Sequence, residues 1–205
     1  MTSGAQLAMK RVFDVIVALL AFPVFAAVFL LIAPAIWLDS GSPVLFKLRV
    51  AGYGGKAFDQ WKFRTMIKDA RQKAHPFETS ATDPRITRVG RFLRRWSLDE
   101  LPQLWNVLRA DMSLIGPRPA FVEVASRYGP REARRLQMRP GMTGLAQIQG
   151  RNLLPWGQRV TLDNDYIDHY SLRLDLKILY RTIPIWLRGT GVYGQDGKVT
   201  MHDLA

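Results

Sequence analysis

Cysteine is absent from the 205 residues. That excludes a disulfide framework, a thiolate zinc site and a cysteine nucleophile. Histidine is scarce too, at three residues: His75, His169 and His202. His169 follows Asp165 by four residues, a helical spacing that a metal pair can use. Acidic side chains are outnumbered, 17 against 29 Lys and Arg, for a formal net charge of +12. A surface this basic suits a polyanion, whether nucleic acid, anionic lipid or a phosphorylated substrate. Composition does not choose among them. No internal repeat, low-complexity tract or interdomain linker occurs. The length suits one domain of ordinary size with a short appendage.

What stands out instead is an unbroken apolar run over residues 15–38, with Pro23 and Pro34 inside it. As one helix it would be about 36 Å long, against a hydrocarbon core of about 30 Å. It is too long for a secretory h-region, and Asp39-Ser40-Gly41-Ser42-Pro43 reads as a turn and not as a cleavage site. Basic residues flank both sides: Lys10 and Arg11 before it, Lys47, Arg49, Lys56, Lys62 and Arg64 after it. Positive charge marks the cytoplasmic side, so both flanks belong there. A straight span satisfies one flank only. A re-entrant hairpin bent at Pro23, with Pro34 sharing the bend, satisfies both. The expected division is therefore 1–41, a re-entrant membrane helix, and 42–205, a domain on the cytoplasmic face.

The polar part reads as a compact α/β unit, mostly helical. Residues 44–49 alternate as a strand, Gly52, Gly54 and Gly55 supply a turn, and 57–66 return as a second strand. Residues 68–84 read as a helical turn and a loop. Residues 86–96 form a basic amphipathic helix: Arg85, Arg88, Arg91, Arg94 and Arg95 recur at helical spacing, with Ile86, Val89, Phe92, Leu93 and Trp96 as the apolar side. Such a helix suits an anionic membrane surface. Arg131, Arg134, Arg135 and Arg139 form a second basic cluster on a helix. Helices are also expected over 161–170 and over 173–187, the latter running into Pro184.

Three segments offer chemistry. Ser97-Leu98-Asp99-Glu100 has the spacing of a capping box, so a helix is expected to start there. Its carboxylates can be mere caps. Beside an arginine-rich helix, however, Asp99 should stay ionised at a helix start, as a carboxylate nucleophile requires. Free helix N–H groups and arginines nearby suit a phosphate, and the two carboxylates suit a shared magnesium ion. In Gly116-Pro117-Arg118-Pro119, two prolines restrain the backbone around one arginine, which favours a bidentate grip on phosphate. The 139–152 segment carries Gly141, Gly144 and Gly150 with Thr143, Gln147, Gln149, Arg151 and Asn152. It reads as a nucleotide-holding loop or as a tight turn, and it lacks the GxGxxG and GxxxxGK[ST] patterns. On this loop alone, Gln147 and Arg151 are substrate-binding candidates.

Taken together, the segments resemble the bacterial sugar transferase family, the monotopic polyprenyl-phosphate phosphoglycosyl transferases. The resemblance runs from Lys10-Arg11-Val12-Phe13-Asp14 to about Val199. It is strongest at residues 62–66, 97–108, 111–119 and 139–152. It implies transfer of a sugar 1-phosphate from a UDP-sugar to a polyprenyl (undecaprenyl) phosphate with release of UMP, an early membrane step of glycan assembly. It implies an Asp-Glu dyad and Mg2+: Asp99 as nucleophile and metal ligand, and Glu100 as the group handling the acceptor's proton. Lys62, Arg94, Arg118 and Asp163 match family positions near substrate or metal. The implied partners are the UDP-sugar, the polyprenyl phosphate and anionic membrane lipid, with no nucleic acid; a homo-oligomer is compatible with the sequence. The implied location is the bacterial inner membrane. One departure is visible: where the family has a Ser-Pro pair that breaks the membrane helix, this chain has Ala26-Ala27. A membrane-anchored, basic nucleic-acid-binding module is the competing reading. It explains the charge but not the Asp99-Glu100 pair.

Overall fold

A computed structural model describes residues 4–70, 78–194 and 198–200. Its helices are α1 (Gly4–Ser40), α2 (Arg88–Arg95), α3 (Gln103–Leu108), α4 (Val122–Ala125), α5 (Pro130–Ala133), α6 (Leu145–Gln149), α7 (Trp156–Asp168) and α8 (Leu172–Arg188). Its strands are β1 (Leu45–Ala51), β2 (Ala57–Phe63), β3 (Glu78–Ser80), β4 (Ser113–Ile115), β5 (Ala120–Phe121), β6 (Gly141–Thr143) and β7 (Lys198–Thr200). The fold mixes helix and sheet behind one long apolar helix.

Helix α1 is long and apolar enough to cross a membrane. It runs through both Pro23 and Pro34. Each proline removes one backbone donor, yet neither ends the helix, and no interruption falls at Ala26-Ala27. One side of α1 is bound to the rest of the chain along its length. Near its start, Lys10 Nζ donates to Asp175 Oδ2 at 2.8 Å, and Asp14 Oδ1 accepts from the Leu114 N–H at 3.2 Å. Midway, the Phe25 and Phe29 rings lie 6.5 and 5.5 Å from that of Phe63. At its end, Asp39 Oδ2 accepts from the Val89 N–H at 2.9 Å, and Arg64 donates to the carbonyls of Ser40 and Gly41. The opposite side is bare hydrocarbon: Leu20, Val24, Leu30, Leu31 and Leu38 are all exposed.

The expected hairpin is present. β1 and β2 pair antiparallel from Leu45↔Phe63 to Ala51↔Ala57, and β5 joins the free edge of β1. β4 and β6 pair in parallel, and β3 pairs with β7. β3 falls within the 68–84 segment, where a helical turn and a loop were expected. His75 and His202 lie outside the described residues. A main core gathers Val50, Leu104, Val107, Met112, Ile115, Tyr166 and Ile178 against Ala18 of α1. A second one joins Ile32 and Ile36 of α1 to Phe63 and Leu93. Burying each of these larger side chains stabilises the fold by about 2 kcal/mol.

Helix α2 bears out the basic amphipathic reading, with one correction. Thr87 Oγ1 caps it by accepting from the Gly90 N–H at 3.0 Å, so Arg85 lies before the helix. Arg85 is buried and doubly bonded to Asp83, with its Nη2 2.6 Å from Asp83 Oδ2. It adds nothing to a solvated basic face. The second basic cluster is corrected in the same way. It sits on short turns, and Arg135 is buried at 5% exposure. Helix α7 starts at Trp156, earlier than the expected 161, and α8 continues through Pro184 to Arg188.

Candidate active site

The Asp99-Glu100 turn is held by β2 and α3. β2 is a sheet edge, so its outward N–H and C=O groups need partners. Asn106 of α3 supplies them: its Oδ1 accepts from the Trp61 N–H at 2.9 Å and its Nδ2 donates to the Asp59 carbonyl at 2.8 Å. This amide is fully buried. It seats the segment that precedes α3 beside Lys62 of β2.

No capping box forms. Residues Leu98–Glu100 make a single 3₁₀ turn, and α3 starts at Gln103. Ser97 is in the left-handed region, with φ at 53°, and its hydroxyl caps nothing. It accepts instead from Arg151 Nη2 at 3.1 Å. Glu100 turns away from the Ser97 backbone. Its Oε1 accepts from Lys62 Nζ at 2.8 Å and from Arg118 Nη2 at 2.7 Å, and its Oε2 from Arg118 Nη1 at 3.3 Å. Burial pushes the Glu100 carboxyl up, but the charges and hydrogen bonds of Arg118 and Lys62 outweigh it. The net result is a carboxyl well below the usual range.

Asp99 differs from its neighbour. Among the described residues its carboxylate accepts no hydrogen bond, and it is only part-buried. Burial and the Glu100 charge push its carboxyl up; Lys62, Arg94 and Arg118 pull the other way without cancelling the rise. The helix start expected to favour its ionised form is absent, and burial beside Glu100 works against that form. Arg94 of α2 points to the same site electrostatically, and its Nε donates to Thr65 Oγ1 at 2.8 Å.

The glycines of the 139–152 segment serve packing. A Cβ on Gly141 would stand 2.1 Å from the Gly116 nitrogen, and one on Gly144 would stand 2.3 Å from the Gly116 carbonyl oxygen. Backbone lies on backbone there, which brings β6 beside β4 and leaves no phosphate cradle at those two positions. Gly150, with φ at +148°, turns the chain into Arg151. Gln147 and Arg151 then converge with Arg118: all three line a pocket with Asp163, Trp156 and Arg159, and all three also line a cleft that reaches Glu100 and Thr143. Arg151 forms no ion pair with a carboxylate among the described residues. Burial, and next the Arg118 charge, push its guanidinium down.

Asp163 reaches this pocket but is already engaged. Its Oδ2 lies 2.8 Å from Arg135 Nε and 2.7 Å from Arg135 Nη2. Its Oδ1 is buried and accepts no close hydrogen bond among the described residues. Burial raises its carboxyl despite Arg135. The structure therefore brings together Lys62, Arg94, Asp99, Glu100, Arg118, Gln147, Arg151 and, one pairing behind them, Asp163. Ser97, read as a cap, and Arg135, read as part of a basic cluster, take other roles here, and Asn106 is given no role by the sequence. His169 is exposed, its Nδ1 lies 3.0 Å from the Asp165 carbonyl oxygen, and no cluster of metal-ligating side chains occurs among the described residues.

A groove of about 460 Å³ opens on the other side of the dyad turn. Phe22, Phe25, Ala26 and Phe29 of α1 form one wall; Trp61, Pro102 and Trp105 form the other. It is almost wholly apolar. Trp61 and Lys62 are neighbours on β2 and point to opposite faces of the strand, so the groove lies on the face opposite Lys62, and none of Lys62, Asp99, Glu100 or Arg118 lines it.

Comparison with known proteins agrees with the residue pattern. The chain matches the Bacterial sugar transferase family over residues 5–189. It is 40% identical to the "Uncharacterized sugar transferase EpsL" of Bacillus subtilis, over 94% of this chain and 93% of that one. It is 46% identical to the UDP-glucose:undecaprenyl-phosphate glucose-1-phosphate transferase of Caulobacter vibrioides, over 90% of this chain and 72% of that one. It is 43% identical to the undecaprenyl-phosphate glucose phosphotransferase of Komagataeibacter xylinus, over 85% of this chain and 35% of that one. With a family match across nine-tenths of its length and these relatives, the chain belongs to the bacterial sugar transferase family.

Proposed function

We propose that this chain transfers a sugar 1-phosphate from a UDP-sugar to a polyprenyl phosphate, releasing UMP, through a phosphosugar ester on Asp99. The observation that carries the reading is the contrast between two adjacent carboxylates. Glu100 is locked and charged between Lys62 and Arg118, while the Asp99 carboxylate accepts no hydrogen bond among the described residues and faces the same cations. A part-buried carboxylate with unengaged oxygens is a nucleophile that reaction need not first unbind.

In the first step an Asp99 oxygen attacks the sugar-bearing phosphorus. The bond to the bridging oxygen breaks, and its electron pair leaves with UMP. In the second, an oxygen of the lipid phosphate attacks the same phosphorus and Asp99 departs as carboxylate. Lys62, Arg94, Arg118 and Arg151 offset the charge that develops on the phosphoryl oxygens. Gln147 lines the same cleft. A carboxyl held as low as Glu100 is a weak base. Its oxygens are spent on Lys62 and Arg118, so its task in this reading is to align both, and the acceptor phosphate attacks as its dianion, with no proton to remove. Asp163 acts from behind, through its pairing with Arg135.

Asp99 offers one unengaged carboxylate, which fits a magnesium ion that arrives with the diphosphate and takes its remaining ligands from phosphate and water. An all-protein cage does not fit, because the Glu100 oxygens are spent on Lys62 and Arg118. Magnesium would neutralise charge on the transferring phosphate.

The setting is the cytoplasmic face of a bacterial inner membrane. Both ends of α1 are bonded to the same domain, at Lys10–Asp175 and Asp39–Val89. That disfavours a through-span; the bend that a re-entrant helix needs belongs to the proposal, since α1 runs helical through Pro23 and Pro34. The exposed arginines of α2 and the exposed Phe92 suit anionic lipid headgroups. The apolar groove between α1 and the Pro102–Trp105 segment suits an isoprenoid chain.

The test is intact-protein mass spectrometry after incubation with UDP-sugars and magnesium, without lipid. A mass gain of one phosphosugar, lost in Asp99→Asn and discharged by polyprenyl phosphate, is the expected result. An unmodified wild type that nevertheless releases UMP with lipid present would overturn the covalent reading.

A further inference from the structure

Arg135 is 5% exposed and every part of its guanidinium is engaged. Nε and Nη2 reach Asp163 Oδ2, Nη1 donates to Tyr128 Oη at 2.8 Å, and Nη2 also donates to the Arg118 carbonyl at 2.9 Å. Its Cζ stands 4.8 Å from the centre of the Trp156 ring. The Arg118 carbonyl is the informative partner. Pro117 and Pro119 restrain the backbone on either side of it, and the Gly141 N–H holds the Pro117 carbonyl at 2.9 Å. Arg135 supplies the next fixed point, at the residue whose side chain grips Glu100.

We propose that Arg135 is a positioning residue for phosphosugar transfer: by anchoring the Arg118 carbonyl, with Asp163 and Tyr128 fixing its own plane, it aims the Arg118 guanidinium at Glu100 and the reacting phosphate. The inference rests on the function proposed above. Lysine cannot replace it, because a single ammonium cannot meet three acceptors spread around a planar fork. A buried cation also needs its anion, which assigns Asp163 to Arg135 ahead of any substrate.

The test uses the full chain in nanodiscs, with UMP release followed under varied donor and acceptor. Arg135→Lys is expected to lower kcat about tenfold while both KM values stay within about twofold. In an Arg118→Ala background the same change should cost less than about twofold more, because a residue acting only through Arg118 has nothing left to aim. Methylguanidinium should restore part of the activity of Arg135→Ala. Arg134→Lys, in the same basic cluster but paired with Asp168 at the surface, should behave as wild type.

An Arg135→Lys enzyme with unchanged kcat overturns the inference. So does full additivity with Arg118→Ala, which marks a purely structural residue. If the Arg135 variants do not fold, Tyr128→Phe removes one of its partners and should lower kcat about threefold; unchanged kcat there is equally fatal. A wild type that releases no UMP with any UDP-sugar overturns the proposed function itself, and this inference with it.

Discussion

Lys62 Nζ lies 2.8 Å from Glu100 Oε1, the same oxygen that Arg118 Nη2 reaches at 2.7 Å. One carboxylate oxygen seats two cations from two different elements, so removing its charge unseats both. Glu100→Gln is expected to slow both half-reactions about 10²-fold or more. Rapid-quench measurement of the UMP burst, and separately of adduct discharge by lipid, would show it. If the burst kept its wild-type rate and only discharge slowed, Glu100 would be the acceptor's base and not an aligner.

The Lys10–Asp175 pair is a second buried charge arrangement, remote from the chemistry. Lys10 and Asp175 are almost wholly buried, and the Tyr166 hydroxyl donates to the other Asp175 oxygen at 2.7 Å. Lys10→Met should destabilise the protein by about 3–5 kcal/mol, since it leaves two buried carboxylates, Asp175 and Asp14, without their cation. Replacing both residues, as Lys10→Met with Asp175→Leu, should cost less than the single change. Thermal unfolding in nanodiscs measures both. Equal losses would mean that the pair carries no special coupling.

What the sequence made legible follows the range of the interactions. The β1–β2 hairpin announces itself through alternation and three glycines within a dozen residues, all local signals. The membrane helix and α2 do the same through long periodic runs. The dyad was legible as residue types and misread as geometry. Ser97 and Glu100 have capping-box spacing, but Lys62 and Arg118, which are 38 and 18 residues away in the chain, compete for the same carboxylate and win. Two salt-bridging charges outweigh one backbone N–H. Arg85 and Arg135 looked like surface charge because their residue type says so; their burial depends on Asp83 and Asp163, and a sequence window does not show that pairing. Gly141 and Gly144 looked like a ligand loop because close backbone packing and phosphate binding ask for the same residue. β3 and β7 span three residues each, too few for any period to show.

Asp83 and Arg85 give a pH-dependent contribution to stability. The Arg85 hydrogen bonds hold the Asp83 carboxyl below its ordinary 3.8, against the opposing effect of burial. A carboxyl depressed by folding stabilises the native state fully above that ordinary value and ceases to do so as pH falls through the folded one. Asp83→Asn should therefore cost about 2 kcal/mol at neutral pH. The gap between variant and wild type should hold down to about pH 4 and close in stronger acid. Differential unfolding across pH measures it. A gap that widened in acid would reverse the sign and refute the pairing as its source.

The apolar groove makes the lipid half of the reaction separable from the nucleotide half. Ala26 is the smallest side chain in its α1 wall, facing Trp61, Pro102 and Trp105 across the space. A tryptophan there would fill volume that an isoprenoid chain needs while touching none of Lys62, Asp99, Glu100 or Arg118. Ala26→Trp is therefore expected to raise the acceptor KM about tenfold, equivalent to losing burial of roughly two methylene groups. The UMP burst without lipid should keep its wild-type rate. A phosphate acceptor cut back to one isoprene unit should show little change in KM, because it does not reach along the groove. An unchanged KM for the long acceptor would move the lipid chain to another surface of α1. A slowed burst would mean instead that the substitution had disturbed the dyad turn itself.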